Sequence, residues 1–220
     1  MRIAGTHKDI SFRKSTEEKM HFLAFNDALT KLPNRTYLKK RLESFLQTVS
    51  PQPFAFLFLD LDYFKNINDA FGHSFGDQVI QDVALRFKDT LKEEDFIARV
   101  GGDEFVILTH NIHKLERLCK NLSNAIEKPF HIQGESFSLG TSIGISLFPE
   151  DGATFELLFK HADTAMYAAK SSGKNRFKYY TARMGETALE STKMDIEMRR
   201  AITNDEFTLF YQPQVEISSG

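Results

Sequence analysis

"DFIARVGGDEFVILT", Asp95–Thr109, sets two glycines and two adjacent acids between two apolar runs. The runs read as strands, and a Gly-Gly pair between strands reads as a tight hairpin turn, because glycine tolerates positive φ. That reading accounts for Gly101 and Gly102. It leaves Asp103 and Glu104 unexplained, two carboxylates placed where the second strand begins.

Upstream, "FAFLFLDLD" (Phe54–Asp62) is a near-continuous apolar run that ends in Asp60 and Asp62. This is the pattern of a strand buried on both faces, with its polar residues emerging at the C-terminal end. If that strand lies beside the hairpin, Asp60, Asp62, Asp103 and Glu104 converge on one small volume. Clustered carboxylates are costly unless a cation neutralises them. Oxygen-only ligands favour Mg²⁺ or Mn²⁺ over zinc.

The remaining chain supplies the elements around this pair. Ser15 to Leu29 reads as a helix capped by Ser15 or Thr16, and Pro33 breaks the pattern. Asn34 then caps a second helix, about Arg35 to Thr48, with Leu38, Leu42, Phe45 and Leu46 on one face. A helical turn at "YFKNIND" and a loop "FGHSFGD", shaped by His73, lead into a helix from about Gln78 to Leu91. Further on come a helix in "HKLERLCKNLSNAIEK", a strand pair from "FHIQG" and "FSLGTSIGISLF", and a helix through Phe155, Leu158, Phe159, Ala162, Ala165, Met166 and Ala169. "RFKYY" reads as a last strand, followed by a charged helix and an apolar stretch beginning at Phe207. The order predicts an α+β fold: an antiparallel-rich central sheet flanked by helices.

Composition narrows the function classes. A net charge of −2 over 220 residues gives no support to a nucleic-acid surface. An anionic ligand would have to be held locally, by a few lysines, a metal ion or backbone amides. The single Cys119 excludes an internal disulfide framework, and its register with Leu115, Leu118, Leu122 and Ile126 reads as a core thiol. His110 and His113 have a spacing compatible with metal binding, but no third ligand accompanies them. No run approaches the ~18 apolar residues of a membrane span, and the opening residues lack the apolar centre of a signal peptide. The reading expects a cytoplasmic domain without membrane contact of its own.

"RVGGDEF", "DLDYFKNINDAFGHSFGD", "DALTKLPNR" and "ADTAMYAAKSSGKNRF" together resemble the GGDEF family, the diguanylate cyclases that make cyclic di-GMP, from about Phe25 to Tyr180. The resemblance implies the palm-like nucleotidyl cyclase fold. It also implies condensation of two GTP into cyclic di-GMP with release of pyrophosphate, at a homodimer interface to which each subunit brings one GTP. By the same resemblance, Asp60, the Leu61 carbonyl, Asp103 and Glu104 hold two divalent cations, Mg²⁺ or Mn²⁺. Gly101 and Gly102 let the backbone approach the nucleotide, and Asn68 and Asp77 read guanine. Lys170 and Lys174 hold the phosphates, with Lys65 near the reacting one. Asp103 is also a candidate for taking the 3′-hydroxyl proton, with metal activation of that hydroxyl the alternative.

Two positions depart from the family pattern. Lys31 stands where the family has glycine in "LTGLPNR". Lys92 stands where an arginine begins the family's product-inhibition motif, with Asp95 retained. Lysine lacks the planar fork that pairs bidentately with phosphate or guanine, so weak feedback inhibition is expected.

The flanks suggest the organisation of a longer parent. Residues 1–28 resemble the linker helix that follows a PAS sensor, 29–181 the GGDEF domain, 182–206 an interdomain helix and 207–220 the first strand of an EAL phosphodiesterase domain. The implied parent is a sensor–cyclase–phosphodiesterase hybrid, which could itself be tethered to a membrane. The alternative to a cyclase is a catalytically silent GTP-binding module that regulates the attached phosphodiesterase. The intact acids, guanine readers and lysines favour the enzyme.

Overall fold

The computed structural model describes residues 19–20 and 22–212. These fall into two compact units that divide between Thr181 and Ala182. The first unit is built on a five-stranded sheet. In chain order it contains α1 (Arg35–Leu46), β1 (Phe54–Asp62), α2 (Phe64–Phe71), α3 (His73–Thr90), β2 (Phe96–Gly101) and β3 (Glu104–Thr109). After a 3₁₀ turn at Ile112–Lys114 follow α4 (Leu115–Glu127), β4 (Phe130–Ile132), β5 (Glu135–Phe137), β6 (Gly140–Phe148), α5 (Phe155–Ser171) and β7 (Phe177–Tyr179).

The strand order is β2-β3-β1-β6-β7, with every pair antiparallel except β6 and β7. β1 is the middle strand and is buried at all nine residues. Burial of both its faces explains why its sequence does not alternate between apolar and polar. Ala55, Leu57, Leu59 and Leu61 pack with Val79, Val83 and Phe87 of α3 and with Leu122 and Ile126 of α4. Phe54, Phe56 and Phe58 pack with Leu38 and Leu42 of α1 and with Phe155, Leu158 and Ala162 of α5. Each fully buried side chain of this size is worth about 1.5–3 kcal/mol relative to exposure, so both faces of β1 select apolar residues.

α5 lies close against β6. A Cβ at Gly144 would overlap the Ala162 carbonyl oxygen and the Met166 amide. The small residues Ala162, Ala165 and Ala169 on this helix are fully buried. The helix is therefore held in one axial position, and that position sets where Lys170, near its end, can reach.

The Asn34 cap follows the sequence reading: its side chain accepts from the Tyr37 amide at 3.0 Å. Thr154 caps α5 in the same way, accepting from the Leu157 amide at 3.2 Å. Several expectations are corrected. The N-terminal helix ends at Phe25 and not at Leu29, because Asn26 bridges to Pro33 and the Asp27 amide bonds the Leu32 carbonyl. α3 begins at His73, so His73 is the exposed first residue of a helix and shapes no loop; only Gly72, at φ +84°, separates α2 from α3. The expected strand pair divides differently. β4 pairs with β5 in a separate two-stranded hairpin, while β6 joins the main sheet beside β1. His110 is structural, its Nδ1 3.1 Å from the Pro53 carbonyl and its ring against Phe45 and Phe54.

The second unit contains α6 (Ala182–Thr203). Residues 207–212, expected to begin a strand, have no regular structure, since a strand needs a neighbour to complete its ladder. The sensor linker and the EAL-like strand fall largely on residues 1–18 and 213–220, outside the described residues.

Candidate active site

The strand register brings the acids together. Asp60 pairs with Glu104 across β1 and β3, and with Ser142 across β1 and β6. Asp60 continues the even-numbered face of β1, the face toward α5. Only 6% of its surface is exposed. Lys170 of α5 meets it there, with Nζ 2.6 Å from Oδ1. That oxygen has no partner in regular hydrogen-bond geometry, so the contact is an ion pair without a well-directed bond.

The electrostatics of the group run in one direction. Burial pushes the Asp60 carboxyl up to about 6; Lys170 opposes the shift and the neighbouring Asp103 charge adds to it. Asp103 is raised by burial against the opposing pull of its own backbone amide, Lys170 and Arg99. Glu104 is raised by burial and by the charges of Asp103 and Asp163, with Lys170 and Arg35 opposing. Asp163 of α5 is raised by burial, with Lys170 opposing. Four carboxylates thus share the Lys170 ammonium, and each resists ionisation. Such a set is short of positive charge.

The residues fit a divalent cation that arrives with a nucleotide. Among the described residues no three Asp, Glu, His or Cys side chains converge as a ready-made ligand set. Mg²⁺ rarely uses such cages; it is bound through one or two carboxylates together with substrate phosphates and water. Asp60, with its poorly satisfied buried oxygen, and Asp103 and Glu104 beside it are donors of that kind. The Leu61 side chain is buried in the core, so only its backbone could contribute.

Asp62 does not belong to this set, contrary to the convergence expected of all four acids. Its Oδ1 accepts from Ser142 Oγ and its Oδ2 from the Asn175 amide, each at 2.8 Å. It fastens the segment after α5 to the end of β1.

The signature turn is held from outside. Gly102 sits at φ +44°, and its carbonyl accepts from Arg99 Nε at 3.0 Å and Nη2 at 2.7 Å. A Cβ added at Gly102 would meet open space, and one at Gly101 would meet only Glu104, at 4.0 Å. The turn therefore presents bare backbone beside the acids.

The other expected residues surround this centre. Asn68 lies on α2 and Asp77 on α3, on either side of the Gly72 break. The Asn68 Oδ1 is buried without a partner, and a Cβ on Gly76 would overlap it. Asp77 is exposed. Lys65 is exposed on α2, and among the described residues it makes no ion pair with the acids. Lys170 reaches Asp60, but Lys174 lies beyond the end of α5 and rests over the Tyr63 ring, 3.6 Å from its centroid. The two lysines are thus not equivalent members of a helix face.

The sequence reading missed Asp163, Arg35 and Arg99. A signal for Asp163 was present: it precedes Lys170 by two helical turns on one face of α5. It also missed the first amides of α2, which lack a side-chain cap because Tyr63, at φ 64°, supplies none.

The expected product-inhibition residues lie elsewhere. Lys92 and Asp95 line a cavity of about 320 Å³ with Lys114, Arg117 and Asn111. Asp95 Oδ2 accepts from the Lys92 amide at 3.0 Å, and its Oδ1 is buried without a partner.

The chain is 35% identical over 209 residues to the cyclic di-GMP phosphodiesterase PdeR of Escherichia coli, covering 94% of this chain and 32% of that protein. It is 40% identical over 202 residues to the bifunctional diguanylate cyclase/cyclic di-GMP phosphodiesterase MucR of Pseudomonas aeruginosa, covering 90% of this chain and 30% of that one. It thus spans about a third of the length of these curated relatives. The solved GGDEF domain of PA1120 (TpbB or YfiN) from Pseudomonas aeruginosa superposes with a TM-score of 0.70 at 34% identity, over 74% of this chain and 99% of that one. The family model described as "Diguanylate cyclase, GGDEF domain" matches residues 24–176, from the end of the N-terminal helix to the residue before β7, and on that match the chain belongs to the GGDEF family.

Proposed function

We propose that the chain is a diguanylate cyclase, joining two GTP molecules into cyclic di-GMP with release of pyrophosphate. The observation that carries this reading is the group of four desolvated carboxylates, Asp60, Asp103, Glu104 and Asp163, facing Lys170 and short of positive charge. Divalent cations, Mg²⁺ or Mn²⁺ and two per site, would neutralise the triphosphate and lower the pKa of the attacking 3′-hydroxyl. Asp60, Asp103, Glu104 and the Leu61 carbonyl are the residues that would hold them.

The chain's own residues supply binding and alignment. The bare Gly101–Gly102 turn lets the chain's backbone approach the nucleotide. Asp77 accepts from the N1–H and exocyclic amine of guanine, which adenine cannot satisfy, and the Asn68 amide takes the O6 and N3 side. Lys170 and Lys174 hold the phosphates, with Lys65 beside the reacting group. Asp103 is a candidate acceptor for the hydroxyl proton: burial raises its carboxyl, which makes its carboxylate the stronger base. Since each domain brings one GTP, two domains must meet face to face, and a homodimer is the catalytic unit. Sensor and EAL domains in a longer parent would control that encounter.

The names of relatives favour a second reading. PdeR carries a phosphodiesterase name alone, which suits a GTP-binding module that regulates an attached EAL domain without synthesis. One experiment separates the two. The concentrated or artificially dimerised chain is incubated with GTP and Mg²⁺, products are resolved by chromatography, and Asp103→Ala is the control. Cyclic di-GMP absent from the variant supports the cyclase. GTP binding without product under enforced dimerisation leaves the regulatory module.

A further inference from the structure

We infer that Tyr63 is a positioning residue that holds the Lys174 ammonium ready for a nucleotide's phosphates; this rests on the reading of the site as a GTP site. The Lys174 Nζ lies 3.6 Å from the Tyr63 ring centroid, a close cation–π contact. Among the described residues it makes no ion pair, whereas Lys170 is committed to Asp60. Before a nucleotide arrives the two lysines differ: one is paired with an acid and the other lies on an aromatic ring.

The position of the ring makes the contact informative. Tyr63 is the cap of α2 and supplies no side-chain acceptor, so the Phe64 and Lys65 amides that open the helix have no side-chain cap, while the Asn66 amide bonds the Tyr63 carbonyl at 2.9 Å. A helix N-terminus is a centre of partial positive charge and a ready site for an oxyanion. An ammonium set down there without an anion meets like polarity. The electron-rich ring face offsets that repulsion and leaves the N–H bonds on its far side free. An oxyanion arriving between ammonium and amides meets both at once.

The backbone supports a preset arrangement. Tyr63, Lys174 and Asn175 all adopt left-handed φ, at 64°, 60° and 44°, conformations that non-glycine residues seldom take. The loop is fastened by Asp62 to the Asn175 amide at 2.8 Å and by Arg176 Nε to the Lys174 carbonyl at 2.9 Å. Asn175 Nδ2 also donates to Glu127 Oε1. The two strained turns, one after β1 and one after α5, meet through the ring and the ammonium. Tyr63 is 61% exposed, so its ring has little part in the core.

The test is calorimetric binding of GTP with Mg²⁺ to the whole chain and to Tyr63→Ala, Tyr63→Phe, Lys174→Ala and the Tyr63→Ala/Lys174→Ala double variant. Tyr63→Ala is expected to weaken GTP binding about two- to five-fold, the range of an exposed cation–π contact. Tyr63→Phe is expected to bind as the unaltered chain does, since the ring and not its hydroxyl makes the contact. In the Lys174→Ala background, removal of the ring is expected to cost nothing further. Unchanged or tighter binding by Tyr63→Ala would overturn the inference while leaving the GTP site intact. A loss that persists in the Lys174→Ala background would overturn it too, because the ring would then act by another route. If the unaltered chain binds no GTP, the reading of the site fails along with the inference.

Discussion

Arg99 Nη1 donates to Asp27 Oδ1 at 2.8 Å, across 72 residues of chain, while the same guanidinium holds the Gly102 carbonyl through Nε and Nη2. Arg99 therefore joins the turn after the N-terminal helix to the signature turn. Asp27 is itself held by the Thr30 amide at 2.8 Å and the Thr30 hydroxyl at 2.7 Å. Two side chains, Asp27 and Arg99, thus connect the residues after the N-terminal helix to the glycine turn.

Removing one end of this link should cost both stability and nucleotide binding. Asp27→Ala leaves Arg99, whose side chain is only 12% exposed, without its anionic partner. A charged hydrogen bond of this kind is worth about 1.5–3 kcal/mol. A matching drop in urea stability is expected, with weaker GTP binding because the Gly102 carbonyl loses its anchor. Unaltered GTP affinity would show that the turn keeps its shape without the link.

The acids predict opposite pH dependences. Burial tends to raise Asp27, but the Thr30 amide and Arg99 outweigh it and hold its carboxyl below the usual range. Its contribution is thus present above the ordinary carboxylate value and lost as pH falls through its folded value. Asp60 is displaced upward, to about 6, chiefly by burial. Between the ordinary value and about 6 the folded state holds a proton that the unfolded chain has released, so stability falls as pH rises through that window. Asp60→Asn removes this cost. Without nucleotide or metal, the variant should melt above the parent at pH 8 and lose that advantage below about pH 4. Cyclase activity should be abolished at every pH.

Gly144 fixes the height of α5. Gly144→Ala puts a methyl against the Ala162 carbonyl and the Met166 amide, backbone atoms that cannot turn aside. Overpacking of this type costs about 1–3 kcal/mol or more. The same shift should move Lys170 from Asp60 and lower activity beyond what the loss of folded protein explains. Denaturant titration paired with turnover per folded molecule would measure both effects.

The cavity at Lys92 and Asp95 offers a test of regulation. Replacing Lys92 by arginine supplies the planar fork that lysine lacks. Lys114 and Arg117 already line the same cavity, so the added fork should tighten cyclic di-GMP binding about tenfold, the equivalent of ~1.4 kcal/mol. Titration of both proteins with cyclic di-GMP would report it. Equal affinity would mean that this cavity does not hold the product.

Much of this protein is written locally. The helix of Arg35–Leu46 announces itself by its Asn34 cap and the spacing of Leu38 and Leu42, and β1 by its apolar run. The turn at Gly101–Gly102 follows from glycine chemistry alone. Those features depend on a few neighbouring residues, and a short window of sequence contains them. The motifs holding Asp60, Asp103, Asn68, Asp77, Lys170 and Lys174 were legible for the same reason.

What each side chain meets was decided by packing between distant segments. Asp60 and Asp62 read alike in the sequence, yet one faces Lys170 while the other is fastened to Ser142 and the Asn175 amide. Lys170 and Lys174 read as a pair, yet the chain leaves the helix between them and lays the second on Tyr63. β6 was expected to pair with its near neighbour and instead lies against β1, where the Phe54–Asp62 run needs a partner on both edges. The role of Arg99 became visible only once the N-terminal turn was in place. Sequence alone determined the elements and the residue types at the site; the tertiary structure assigned their partners, because burial and charge depend on what the rest of the chain brings near.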